Sequence, residues 1–308
     1  MPRPIQNAFN RRPPGPPPPE TIDPIWLLKA LAAVIVLAFI CGYLALCLLF
    51  YQGQWQLVLH PVRTATAPQS IDGAAFQVVH FAPDDSAIPQ LTGWWIPSDP
   101  GGHYHNTTVL FLPAGDGSLA DSIPTLAALH TLGVNVFAFD YRGYGQSANV
   151  RPNQRKMTED AASAWQYLTQ SRAVPARQIV PYGTGTGTSL AAQLAIDHPE
   201  IPALILDSPR TDLRASVRLD SRSRFIPINL LFHEDFPLAK PLEALRTPKL
   251  LLSESTTSDQ PPAAFHTASD PKITVEFKAA TKALEGQIFT RFLDQYLPQS
   301  VSSPAPAR

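Results

Sequence analysis

Cysteine is scarce in this sequence, and neither sign of charge is in excess. Only Cys41 and Cys47 occur among 308 residues, and both lie inside one apolar run. The sequence therefore offers neither a disulfide framework nor a cysteine metal site. Lysine and arginine number 24 against 25 aspartates and glutamates, which gives a net charge of -1. Without a basic excess, we expect no nucleic-acid partner.

One long apolar run lies near the N-terminus. Residues 30–51 carry no charge, and about 20 apolar residues in a helix suffice to cross the hydrocarbon core of a bilayer. The run is too long for a typical buried helix or secretory signal, and no small-residue cleavage site follows it. A lipoprotein signal at LALC, residues 44–47, is an alternative, although Leu46 is larger than the residue expected there. We predict a transmembrane helix over residues 25–51, with membrane contact through residues 30–51.

Basic residues flank this apolar run on its N-terminal side only. Those that precede it are Arg3, Arg11, Arg12 and Lys29. The next is Arg63, so the positive-inside bias places the N-terminus in the cytoplasm and the large C-terminal part outside. The proline-rich tail, residues 1–24, and the C-terminal residues 298–308 are predicted to be disordered.

The rest of the chain alternates strand-like and helix-like segments. TTVLFLPAG, residues 107–115, is an apolar run typical of a strand buried on both faces, and Thr158 is a plausible start for a later helix. Such alternation predicts an α/β fold, a mostly parallel sheet flanked by helices, with ligands beyond the carboxyl ends of the strands. IVPYGTGTGTSLA, residues 179–191, has the pattern of the GxSxG elbow that presents a nucleophilic serine, but Gly185 occupies the central position.

The order of these motifs resembles the α/β-hydrolase superfamily, in the single-pass membrane-anchored branch that includes protein depalmitoylases and related bacterial hydrolases. The segments that carry the resemblance are LVLHP, LTGWWIP, VNVFAFDYRGYGQS, RQIVPYGTGTGTSLAAQLA and ALILDSPRTDLR. It covers residues 55–297 and implies one α/β-hydrolase domain, with a lid-like insert at residues 210–246.

This resemblance implies a catalytic serine, histidine and acid, but the matching positions carry other residues. Gly185 stands at the nucleophile position, Thr257 at the acid position and Lys282 at the histidine position. No histidine follows His266 in the sequence. The earlier histidines, including His60, we interpret as surface or capping residues.

Two other groups of residues keep some of the site's chemistry open. Thr186, assisted by Lys282 or Asp259, is a candidate for a displaced nucleophile. The backbone amides of Gly115 and Thr186 match the oxyanion positions. We expect the N–H groups of both to be available, and they predict a pocket that binds a carboxylate, a phosphate or an acyl carbonyl without cleaving it.

Three interpretations of the function follow. Loss of all three catalytic side chains favours a membrane-anchored pseudohydrolase with a ligand-binding or scaffold role and unspecified protein partners. The alternative is an active ester or thioester hydrolase with a displaced nucleophile. A dinucleotide site is a third, because GTGTG follows a strand and Asp207 ends the next one, but Thr188 replaces the third glycine. We expect no cofactor, and no metal at the histidine pair His103 and His105.

Overall fold

The computed structural model describes residues 15, 23–83, 88–211, 213–254, 263–277 and 282–297. The chain divides into two compact units, Met1–Leu49 and Phe50–Arg308. The tails predicted to be disordered, residues 1–24 and 298–308, lie outside the described residues except for residues 15, 23 and 24.

The predicted apolar helix is present as α1, Pro24–Gly53. Thirty residues of α-helix extend for about 45 Å, longer than the roughly 30 Å hydrocarbon core of a bilayer. The part of α1 that forms the candidate span is exposed rather than packed into a protein core, and its length and composition suit a membrane.

The second unit is built around an eight-stranded sheet. The strands among the described residues are His60–Pro61 (β1), Gln77–Phe81 (β2), Leu91–Ile96 (β3), Thr108–Leu112 (β4), Asp116–Gly117 (β5), Asn135–Asp140 (β6), Ile179–Thr184 (β7), Leu204–Asp207 (β8), Lys249–Glu254 (β9) and Lys272–Phe277 (β10). The large sheet has the order β10-β9-β8-β7-β4-β6-β3-β2, while β1 pairs in parallel with β5. Within the large sheet, β2 with β3 and β3 with β6 are antiparallel. The remaining pairs of the large sheet are parallel.

Helices cover both faces of this sheet. They are Ile123–Thr131 (α2), Gln154–Gln166 (α3), Gly187–Asp197 (α4), Leu213–Leu219 (α5), Ile228–Leu231 (α6), Ala239–Ala244 (α7), Ala263–Thr267 (α8) and Lys282–Tyr296 (α9). Leu126 of α2 and Phe292 of α9 share one buried cluster with Val109 and Phe111, alternate residues of β4. Helix α4 packs against α3 and against β4, β7 and β8. The predicted α/β-hydrolase fold, mostly parallel and flanked by helices, is confirmed.

Helix α3 begins earlier than its sequence suggests. Asn153 caps it, because its side-chain Oδ1 accepts the amide of Lys156 at 2.9 Å. Thr158, predicted as the start, lies inside the helix and donates its hydroxyl to the carbonyl of Gln154 at 3.1 Å. The predicted lid-like insert, residues 210–246, contains the three short helices α5, α6 and α7.

Candidate functional site

The elbow lies between β7 and α4, at the carboxyl edge of the sheet. Gly185 has a φ of +52°, in the left-handed region that glycine adopts with little strain. Its amide donates to the carbonyl of Asp207 at 3.0 Å, and its carbonyl accepts the Thr188 hydroxyl at 2.6 Å. The turn that presents a nucleophile in GxSxG sequences is therefore formed here, with no side chain at its tip.

The two flanking glycines are required by packing. A Cβ on Gly183 would lie 2.4 Å from the carbonyl oxygen of Gly187, and a Cβ on Gly187 would lie 2.2 Å from that of Leu112. Only glycine at both positions lets α4 approach β7 and β4 this closely. At Gly185 a Cβ would meet only Ala114, with 3.0 Å between the two Cβ atoms, so a side chain there is strained mainly by the backbone.

The oxyanion position of Gly115 is occupied by the protein itself. The buried amide of Gly115 donates to Oγ1 of Thr186 at 2.7 Å, and Thr186 is only 4% exposed. The prediction that this amide is available was wrong, because a threonine directly after the elbow carries a γ-oxygen that reaches it. The Thr186 amide donates no hydrogen bond to any other residue in the described part of the chain.

Three further contacts hold the loop around Gly115. Its carbonyl accepts the amide of His60 at 2.7 Å and the hydroxyl of Tyr144 at 2.9 Å. The side chain of Leu59 fills the space above its Cα, where a Cβ would come within 2.5 Å of Leu59 Cδ2. This loop is therefore fixed from several directions, and the bond to Thr186 is part of a closed arrangement.

The hydroxyl groups of Thr186 and Ser189, next to the elbow, make structural contacts. Thr186 was the predicted displaced nucleophile, but its buried oxygen accepts the Gly115 amide. Ser189 donates to the carbonyl of Pro237 at 2.8 Å, which ties α4 to the lid-like insert. Thr257 and Asp259 lie outside the described residues, and of Lys282 the structure describes the backbone alone, at the first position of α9.

The structure brings together one pair that sequence reasoning missed. His60 Nδ1 lies 2.6 Å from Oδ1 of Asp116, across the ladder of β1 and β5. Both side chains are exposed. The two residues are 56 positions apart, so no local sequence pattern predicts the pair. The contact orients the imidazole beside the Gly115 loop, yet no nucleophilic hydroxyl lies within hydrogen-bond distance of that ring among the described residues.

A cavity of about 460 Å³ lies at the carboxyl ends of β8, β9 and β10. Its polar lining includes Tyr182, Asp207, Ser208 and Glu254, and its apolar lining includes Leu129, Leu132, Phe277 and Phe289. Burial raises the pKa of Asp207, and the nearby charge of Glu254 acts in the same direction. The hydroxyls of Ser208 and Tyr182 donate to Asp207 at 2.9 and 3.1 Å. The acid considered for a dinucleotide ribose is thus engaged by the protein's own hydroxyls.

Two buried carboxylates stabilise the turn after β6. Asp140 accepts the amide of Leu119 at 2.8 Å, and burial raises its pKa to about 6. Asp160 is fully buried and accepts Nε of Arg142 at 2.6 Å and the Arg142 amide at 2.8 Å. From this turn the hydroxyls of Tyr141 and Tyr144 donate to the carbonyls of Pro113 at 3.2 Å and Gly115 at 2.9 Å, so the DYRGYG motif supports the loop beside the elbow.

Comparison with known proteins identifies the family. Residues 109–296 match the family model Hydrolase_4, described as serine aminopeptidase, S33. The chain belongs to the α/β-hydrolase superfamily. This α/β-hydrolase is 30% identical over 164 residues to the uncharacterized protein Rv2307c of Mycobacterium tuberculosis. The aligned residues cover 53% of this chain and 56% of that relative. The match therefore spans little more than half the length of this relative.

Two further relatives extend the comparison. The lysophosphatidylserine lipase ABHD12 of Danio rerio is 37% identical over 92 residues, 29% of this chain and 24% of the lipase. The esterase Pf2001 of Pyrococcus furiosus superimposes with a TM-score of 0.60 at 18% identity, over 78% of this chain and 99% of the esterase. At that identity the esterase shows the shared α/β-hydrolase fold and no more.

Proposed function

We propose that this α/β-hydrolase is a membrane-anchored pseudohydrolase, held by α1 and acting through binding rather than ester hydrolysis. One observation carries the proposal. The tip of the elbow is Gly185, which has no side chain. The hydroxyl of the next residue, Thr186, accepts the Gly115 amide at 2.7 Å, so this amide is not available to an oxyanion.

This arrangement affects both nucleophilic attack and oxyanion stabilisation, the two requirements of acyl transfer. The elbow of an active enzyme aims an oxygen or sulfur atom at the carbonyl carbon, and glycine has no such atom. A carbonyl oxygen would also have to displace the Thr186 hydroxyl to reach the Gly115 amide. Loss of a single oxyanion donor already lowers turnover by about 10²–10³ in other hydrolases.

The carboxyl-edge cavity favours an acyl ligand over an anionic one. Asp207 and Glu254 at its polar end disfavour a negatively charged ligand. The ring of Phe289 and its apolar neighbours suit a hydrocarbon chain. The names of the relatives point to the same chemistry, since the zebrafish protein is a lipase and the Pyrococcus protein an esterase. The ligand class we propose is therefore a small acyl compound with a neutral polar group.

Hydrolysis assays test the proposal directly. The full chain in detergent should not hydrolyse nitrophenyl acetate, nitrophenyl octanoate or a lysophospholipid above the rate of a mock purification. Gly185→Ser should remain inactive, because Thr186 still occupies the Gly115 amide and no histidine follows His266. Turnover by the unchanged chain that disappears in Thr186→Ala would contradict the proposal and identify a displaced nucleophile.

Membrane anchoring has a separate test. The chain should stay in the membrane pellet after alkaline carbonate extraction, which releases peripheral proteins. The basic residues before α1 support a cytoplasmic N-terminus and an extracytoplasmic domain. Protease added outside intact spheroplasts should then cleave the domain. Protection of the domain would reverse the proposed orientation.

A further inference from the structure

Three large apolar side chains are unusually exposed in the lid-like insert. Leu219 is 88% exposed, and Phe225 and Leu230 are each 73% exposed. Arg218 and Asn229 are joined by a side-chain hydrogen bond, and each is followed directly by one of the two leucines. Leu219 and Leu230 therefore belong to neighbouring parts of one surface. Grouped exposed apolar side chains of this size mark a surface that contacts a partner.

Positive charge accompanies this apolar surface. Residues 210–230 contain five arginines and two aspartates, in a chain whose net charge is -1. Arg214 is paired with Asp235 at 2.7 Å, whereas Arg218 and Arg224 are exposed. The guanidinium of Arg224 lies 5.7 Å from the ring centroid of Phe225. Arginine around exposed apolar side chains is the composition of surfaces that bind the bilayer interface.

The insert is fastened to the segment where α1 ends. The amide of His233 donates to Oε1 of Gln54 at 2.7 Å, and the rings of Tyr51 and His233 meet edge to face at 5.5 Å. Leu230 precedes His233 by three residues, so their Cα atoms are at most about 10 Å apart. Tyr51 closes the apolar run, and tyrosine at the end of a membrane helix lies at the level of the headgroups.

We propose that Leu219, Phe225 and Leu230, together with Arg218 and Arg224, form a docking surface for the bilayer that holds α1. This inference rests on the proposed membrane anchoring. The apolar side chains enter the interfacial region, and the arginines contact lipid phosphates. An anionic bilayer fits better than a protein partner because the insert contacts Tyr51 and Gln54, at the end of the apolar run, and because its exposed charge is positive.

Site-specific labels measure the docking in the full chain. In a Cys41→Ala/Cys47→Ala background, Leu230→Cys and Phe225→Cys are labelled with nitrobenzoxadiazole, and the chain is placed in nanodiscs of phosphatidylcholine and phosphatidylglycerol. Ile196→Cys is the matched control, since Ile196 is an apolar residue, 41% exposed, in the last turn of α4. That helix leaves the elbow and returns along β7, which puts Ile196 at the opposite edge of the sheet.

Lipids with a nitroxide near the headgroup should quench the fluorescence of the labels at positions 225 and 230. The fluorescence of the label at position 196 should not be quenched. Each arginine near an anionic surface is worth roughly five-fold in the docking equilibrium, so Arg218→Gln/Arg224→Gln should weaken quenching most at low phosphatidylglycerol. Leu219→Ser should weaken quenching at position 225. Equal quenching at 196 and 230, or none at either, would overturn the proposal.

A label on Cys41 separates this proposal from the anchoring on which it rests. With Cys47→Ala as the only other change, a nitroxide deep in the acyl chains should quench the Cys41 label. If that label is quenched while position 230 is not, the docking surface is refuted and the anchor stands. If Cys41 is not quenched, the anchor itself is refuted.

Discussion

Replacing Thr186 by valine tests the contact that closes the oxyanion position. Valine keeps the branched shape of threonine but lacks the oxygen that accepts the Gly115 amide at 2.7 Å. Both residues are buried, so the amide is left without an acceptor and away from water. An unsatisfied buried donor costs about 1–3 kcal/mol in the free energy of unfolding. Thr186→Ser, the matched control, keeps the oxygen and loses one methyl group, worth about 0.8 kcal/mol.

The difference is measurable by thermal unfolding of the full chain in detergent. For a domain of this size, 1 kcal/mol shifts Tm by about 2–4 °C, so Thr186→Val should lower Tm by about 2–12 °C and Thr186→Ser by about 2–3 °C. Because the range expected for Thr186→Ser lies within the lower end of the range expected for Thr186→Val, a local measurement is needed as well. Amide hydrogen exchange in the peptide containing Gly115 should accelerate in Thr186→Val and stay unchanged in Thr186→Ser.

A valine variant as stable as the serine variant, with unchanged exchange at Gly115, would refute this reasoning. It would mean that the threonine hydroxyl does not hold the amide. The Gly115 amide would then be free to bind a ligand oxygen. The proposed loss of oxyanion stabilisation would fall with it, and only the missing nucleophile would remain as support for a pseudohydrolase.

Four other substitutions, one of them also combined with Asp160→Asn, test the contacts around the elbow. Gly187→Ala should prevent stable folding, because its Cβ meets a backbone oxygen at 2.2 Å, whereas Gly185→Ala should cost about 1–2 kcal/mol in denaturant unfolding. Asp140→Asn should reduce the pH dependence of Tm. The pKa of Asp140 in the folded state is about 6, above the ordinary value of 3.8. Its contribution to stability is therefore complete below about pH 4 and is lost as the pH rises through about 6. Arg142→Ala should destabilise the domain by about 3–5 kcal/mol, and by less with Asp160→Asn, because it leaves a buried carboxylate unpaired.

The fold was predictable because its main signals are local. The uncharged run, residues 30–51, specifies an exposed apolar helix by length alone. Continuous apolar runs such as that of β4 mark strands buried on both faces, and the helix-like segments between them require parallel neighbours. The glycine spacing around Gly185 likewise predicted the elbow, and the structure adds that Gly185 has a left-handed backbone at its tip.

The closed oxyanion position was not predictable in the same way. Gly115 and Thr186 are 71 residues apart, and their contact depends on a side-chain rotamer that no sequence pattern encodes. The sequence identified both residues and assigned both amides to the oxyanion. In the structure the Gly115 amide instead donates to the hydroxyl of Thr186. His60 and Asp116 were missed for a related reason, since two short strands bring them together only in the folded chain.

The elbow's glycines explain how similarity to hydrolases can coexist with the proposed loss of hydrolysis in one chain. Gly183 and Gly187 are fixed by the approach of α4 to the sheet, at 2.4 and 2.2 Å to backbone oxygens, whether or not a nucleophile stands between them. The family match over residues 109–296 includes this turn, whose glycines packing alone requires, so the match does not by itself show turnover. Turnover depends on atoms that packing does not demand, and at this elbow the hydroxyl oxygen of Thr186, directly after Gly185, already accepts a backbone amide.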